Sequence, residues 1–190
     1  MARTILDYYL GEISIAEAEI AKHTRLVNIY SFSRLIFILL GGFVVFQLLK
    51  FEIIWIVEVV ILLIIVGFAF LVQQQSVYEK QRAFYTALKK INENEIKSIK
   101  SQENIYADGA EFVNDEHSYT SDLDIFGRAS LFNLVNRCSS PVGFVLLADW
   151  FKKADEEENI RQRQEAIKEL GTKPGWVQHV KALLWPTKGT

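Results

Sequence analysis

Two stretches of the chain carry almost no polar residues. Leu35 to Leu49 reads LIFILLGGFVVFQLL, and Ile53 to Val72 reads IIWIVEVVILLIIVGFAFLV, with Glu58 the one ionisable residue in either. A helix needs about 20 apolar residues to cross a hydrocarbon core. The second run has that length, and the first reaches it by starting near Tyr30 and letting Arg34 extend toward the headgroups. Lys50-Phe51-Glu52 alone separates them. The pattern therefore predicts a transmembrane hairpin over residues 31–73, with spans at about 31–49 and 53–73. The competing reading is a buried hairpin inside a soluble bundle, but a soluble helix rarely stays apolar on every face.

Outside the hairpin the rhythm becomes helical and amphipathic. Leu6, Leu10, Ile13, Ala16 and Ile20 recur at spacings of four and three, as do Val77, Phe84, Leu88, Ile91 and Ile99 less regularly. These predict an amphipathic cytoplasmic helix over 1–30 and a second over 74–100, packed as an antiparallel pair. Residues 101–121 are polar, acidic and turn-rich. Asp108-Gly109 between apolar flanks signals a β-turn there. Several short helices follow over 122–190, with Ser139-Ser140-Pro141 a start signal and Gly171 and Pro174 a stop. The fold class expected is all-α: a membrane hairpin extended by cytoplasmic helices, then a small helical module.

Charge adds orientation. Lys22, Arg25 and Arg34 precede the first span, and Lys80, Arg82, Lys89 and Lys90 follow the second, whereas the turn offers Lys50 alone. Positive flanks stay inside, so both termini are expected in the cytoplasm of a cell whose inner membrane holds the hairpin. With 21 basic against 23 acidic residues, the net charge of -2 gives no whole-chain argument for nucleic-acid binding. The N-terminus lacks the layout of a cleaved signal peptide.

Candidate chemistry is sparse. Cys138 is the single cysteine, which excludes an internal disulfide, and it reads as a small buried apolar residue. Asp115, Glu116, His117, Asp122 and Asp124 have no ligand spacing and read as a solvated acidic loop; no metal is expected. Glu58 stands open between two readings: a functional intramembrane acid, or a carboxylate near the headgroups or bonded to the partner helix. No nucleophile with a base and no paired carboxylates point to catalysis.

Four blocks then carry a resemblance. DLDIFG, SLFNLVNR, PVGFVLLADWF and IRQRQEAIKEL, in that order, resemble the start of the helical core domain of MutS-family DNA mismatch repair proteins. Leu123, Asp124 and Phe126 match the family's L-D-x-F segment. Ser130, Leu131, Leu134 and Arg137 match S-L-x-x-x-L-x-R-T. Gly143, Leu146, Leu147 and Trp150 match the T-x-x-G-x-x-L-L-x-x-W-L helix. Arg163, Ala166, Ile167, Glu169 and Leu170 match R-x-x-A-[IV]-x-E-L. The departures within these blocks are mild: Cys138-Ser139-Ser140 replaces threonines, Phe151 replaces a leucine, and a following proline is absent.

The resemblance covers residues 122–172. It implies a core module that in the whole family relays ATP hydrolysis, with Mg, to a DNA clamp, and it implies a homodimer. The family's Phe-x-Glu mismatch wedge has the hairpin in its place, and no G-x-x-x-x-G-K-[ST] loop occurs. The chain is thus expected to be the N-terminal part of a longer membrane-anchored protein, to bind no cofactor and to catalyse nothing alone. Membrane lipid is its first expected partner, and DNA would be reached only through the missing domains. The alternative from another class is a membrane scaffold whose cytoplasmic helices bind a partner.

Overall fold

A computed structural model describes residues 4–50, 54–101, 104–114 and 119–185. The protein is all-helical, and the described residues contain no strand. Six α-helices follow in order: α1 (Ile5–Leu49), α2 (Ile54–Ser101), α3 (Leu131–Val135), α4 (Pro141–Lys152), α5 (Glu157–Gly171) and α6 (Pro174–Leu184). The segments read as 1–30 and 31–49 thus run as one helix, and so do 53–73 and 74–100. No glycine or proline stands at either junction to stop them.

The residues form two compact units. One is Ala16–Thr86, in which α1 and α2 pair as a hairpin. Their contact follows a heptad rhythm on α1. Ala16, His23 and Val27 are buried, and Ile20, Tyr30, Arg34, Phe37 and Gly41 are half-buried between and beyond them. Rings interleave across the seam: His23 stacks on Tyr85 with centroids 5.8 Å apart, and Tyr30 on Tyr78 at 5.3 Å. Farther along, close approach depends on glycine. A Cβ on Gly67 would lie 2.6 Å from the Phe37 ring, and one on Gly41 2.9 Å from Ile64. Val57 on α2 is buried as well, and Val45, Leu48, Ile56, Val60 and Leu71 are half-buried, while most other side chains of the two apolar runs face outward. The most apolar 18-residue window of each helix is long and apolar enough to cross a membrane, yet only 0% of one and 6% of the other is buried by protein.

The other unit takes the described residues up to Ile15 and those from Ala87 on. Its core is aromatic: Phe126 and Phe132 are buried, the latter completely, with Phe112, Phe144 and Phe151 packed around them. Short helices form here because each start is capped. The Ser130 hydroxyl accepts from the Asn133 N–H at 3.1 Å, and that of Ser140 from the Gly143 N–H at 3.2 Å, with Pro141 at the first helical position.

The polar segment before α3 differs from the linker its composition suggests. Tyr106 is only 3% exposed, and no β-hairpin forms at Asp108-Gly109. Gly109 instead takes a left-handed φ of 75° and leads into a 3-10 turn over Ala110–Phe112. A side chain there would lie 2.7 Å from Phe132, so this glycine serves both the turn and the core. Asp115, Glu116 and His117 lie outside the described residues; Asp122 and Asp124 are exposed.

Candidate functional site

Helix α2 enters the second unit with the sequence INENEIKS, in which Asn92 and Asn94, on opposite sides of the helix, are both turned inward. Asparagine is a poor helix former because its amide competes for backbone bonds. Here each amide is used. Asn92 and Asn94 are 0% and 1% exposed. Asn92 Nδ2 donates to the Leu88 carbonyl at 2.8 Å, and its Oδ1 accepts from Gln178 Nε2 of α6 at 2.8 Å. Asn94 Oδ1 accepts from the Ile105 N–H at 2.8 Å. Asn104 Nδ2 donates to the Asn133 carbonyl at 2.6 Å, and Asn136 Nδ2 to that of Ala107 at 2.7 Å. Asn92 thereby fastens α6 to the end of α2, Asn94 fastens the turn segment to it, and Asn104 and Asn136 fasten the turn segment to α3.

Arg137 completes this junction. Its Nε donates to both Glu95 carboxylate oxygens, at 2.9 and 3.0 Å. One Nη donates to the Leu134 and Asn136 carbonyls at 3.0 and 2.9 Å, and the other to the Ser98 hydroxyl at 2.8 Å. Lys181 of α6 approaches the same carboxylate at 3.7 Å. Burial pulls the Lys181 ammonium below its ordinary value, and Glu95 pulls it back. Burial, with Glu95 beside it, pushes the Tyr106 hydroxyl up to about 12. One carboxylate thus neutralises two partly buried cations from two later elements. A cavity of about 720 Å³ opens onto this trio, walled by Ile5, Tyr8, Tyr9 and Leu170 among others. The arrangement acts as a joint that holds α2, α6 and the turn after α3 together.

The residues of the four sequence blocks meet different fates. Phe126 is in the core, Ser130 caps α3, Leu147 packs against the core, and Arg137 forms the joint. Asp124 takes a left-handed φ of 46° in the turn before α3. Gly143 lies against the Ser140 cap, where a Cβ would come within 3.1 Å of its hydroxyl. Leu131, Leu134, Leu146 and Trp150, which as apolar residues are expected to pack, are instead 43–51% exposed, and Leu123 is 64% exposed. Phenylalanines outside the blocks take the interior that these would have filled. Arg163 lies over the Trp150 ring at 4.3 Å and pairs with Asp155. On α5, Ala166 and Glu169 are exposed, with Ile167 and Leu170 at 69% and 40%.

Cys138 is half-buried rather than buried. Glu58 is exposed one turn from the first residue of α2, and no hydrogen bond to α1 is made among the described residues. No cluster of three or more potential metal-binding side chains occurs among the described residues. Asn92, Asn94, Asn104, Glu95 and Lys181 were not legible as a set. The one signal was asparagine at alternate positions inside a strong helix.

Comparison of the chain with protein-family models, with curated proteins and with solved structures finds no match.

Proposed function

We propose that this chain is the membrane-tethered N-terminal portion of a MutS-family protein. The hairpin anchors it in the cell inner membrane with both termini cytoplasmic, and the module over 122–190 connects that anchor to lever, clamp and ATPase domains farther along. One observation carries the anchor: the apolar faces of α1 and α2 are left uncovered by the protein itself, which in water would be prohibitive. Flanking Lys and Arg give the orientation.

The family part of the reading is supported by four blocks in order and by what their residues do. Ser140 stands where the family has threonine and supplies the same hydroxyl cap. Arg137 ties the module to α2, the helix that leaves the membrane, as a relay between anchor and lever requires. In this reading the chain itself hydrolyses no ATP and recognises no mismatch, DNA is bound through the other domains, and the whole protein works as a homodimer.

An immunoblot of source membranes with antibody against 122–184 tests this directly. A band well above 21.9 kDa is expected. A band at that mass would favour a second reading, a scaffold that binds a partner through its cytoplasmic helices. The exposure of Ile167, Trp176 and Leu183, each above half, is what favours it. Crosslinking in native membranes from those positions then separates the two, since a scaffold captures another protein there.

A further inference from the structure

Arg34 sits on the inward stripe of α1, half-buried, with its guanidinium 5.9 Å from the centre of the Phe68 ring. Its Nε is enclosed and finds no hydrogen-bond partner among the described residues. A buried cationic donor without an acceptor is costly, so the position calls for an anion from outside the chain.

Its depth says which. Fifteen residues separate Arg34 from Leu49 at the end of α1, about 22 Å of helix against a hydrocarbon core about 30 Å thick. With the turn at the far interface, the guanidinium lies just below the near headgroups, within reach of a lipid phosphate by snorkelling. The surroundings fit an entire lipid. A cleft of about 450 Å³ at Arg34 is lined by Ser31 and Phe32 on one side and by Leu35, Ile38 and Phe68 below. Ser31 adds a hydroxyl donor at the polar end, and Leu35 and Ile38 continue down the span as an open apolar track for an acyl chain.

We propose that Arg34, with Ser31 and the groove over Leu35, Ile38 and Phe68, is a binding site for one anionic phospholipid. The inference rests on the membrane reading of the hairpin. The guanidinium fork takes the phosphate in charge-assisted hydrogen bonds, and a zwitterionic lipid, whose own ammonium competes, binds less well.

The test uses the whole 190-residue chain in nanodiscs of phosphatidylcholine mixed with phosphatidylglycerol. After gentle detergent extraction, native mass spectrometry counts the retained lipids of each kind. About tenfold enrichment of phosphatidylglycerol over its bulk ratio is expected, the size of one charge-assisted bond. Arg34→Gln should return retention to the bulk ratio, and Arg34→Lys should keep part of it. Lys50→Gln, at the other end of the hairpin, should change nothing. Equal retention of both lipids, or enrichment that survives Arg34→Gln, overturns the site while leaving the anchor intact. Displacement of the lipid by millimolar inorganic phosphate overturns it as well, by making it a free-anion site. A chain that does not enter nanodiscs at all sinks the membrane reading and this proposal with it.

Discussion

The two units of this chain use opposite rules of burial. In the unit built from Ala87 onward and the start of α1, phenylalanines are inside, and every buried asparagine described above has a partner. In the hairpin, Leu39, Leu40, Leu62 and Leu63 are each more than 60% exposed, while His23 is buried and Arg34 half-buried. With the hairpin in a membrane, as proposed above, one sequence of 190 residues addresses two solvents. Where water surrounds the fold, leaving water drives the packing. Where hydrocarbon surrounds it, that drive vanishes between helices, and close contact at Gly41 and Gly67 and stacked rings in the seam must hold the pair. Substitutions of similar chemistry should accordingly cost different amounts in the two units.

The largest effect is expected in the aromatic core. Phe132→Ala removes a fully buried ring touched by four others and should cost about 3 to 5 kcal/mol. Trp150, Trp176 and Trp185 all lie in this unit, so urea titration of the membrane-bound protein by tryptophan fluorescence reads the loss. The hairpin should stay inserted, as judged by carbonate resistance. Loss of insertion together with the core would show that the two units do not stand apart.

Next comes the joint. Arg137→Ala leaves Glu95 with Lys181 alone, and the pair it breaks keeps 22% and 15% exposure, so a cost of about 2 to 3 kcal/mol is expected, short of that for a fully enclosed pair. In a cycle with Glu95→Ala, the double variant should lose less than the sum of the two singles, because each single already breaks the same contact. A double variant as unstable as the sum of its singles would deny the coupling on which a relay through this joint depends.

How much of this was legible beforehand divides along the same line. The hairpin could be read from length and apolarity alone, since a span must satisfy one constraint at every residue. The starts of α3 and α4 were legible too, because Ser130, Ser140 and Pro141 act locally. The joint was not. Asn92 meets Gln178 across 86 residues, and Arg137 meets Glu95 across 42, and no periodicity encodes such distances. Composition also misled at Asn104–Val113. A polar stretch reads as a linker until Asn104 and Gly109 are seen to build the floor of a core. Leu131, Leu134 and Leu146 misled in the opposite sense, because apolar residues at helical spacing need not face inward when Phe112, Phe132 and Phe144 already fill the centre.

A pH effect of similar size to that of the joint is expected in the unit with the aromatic core. Tyr106 is raised from 10.0 to about 12 in the folded protein. Below pH 10 the hydroxyl is protonated in both states, and its contribution is full. Between pH 10 and about 12 the unfolded chain ionises first, so stability falls as pH rises, by on the order of 2 to 3 kcal/mol in all. Tyr106→Phe should flatten that part of the curve. An unchanged slope in the variant would mean that the loss comes from other groups.

The smallest effects, and the sharpest comparison, come from two glycines. Gly109→Ala must place a Cβ 2.7 Å from Phe132 and hold a left-handed φ of 75°, two penalties that should together cost about 2 kcal/mol. Gly67→Ala faces an even closer neighbour, 2.6 Å from the Phe37 ring, yet its helical φ needs no glycine and the ring it meets is only half-buried. In hydrocarbon the ring can swing out without exposing itself to water, so the expected cost is below about 1 kcal/mol, a helix separating by a few tenths of an ångström. Urea titration reads the first variant, and disulfide crosslinking between cysteines placed at Gly41 and Ile64, which meet across the seam, on a Cys138→Ser background, reads the second. If Gly67→Ala abolished the crosslink while Gly109→Ala left the melt unmoved, the order of rigidity would be reversed. The hairpin would then be the tightly specified unit, and the module the tolerant one.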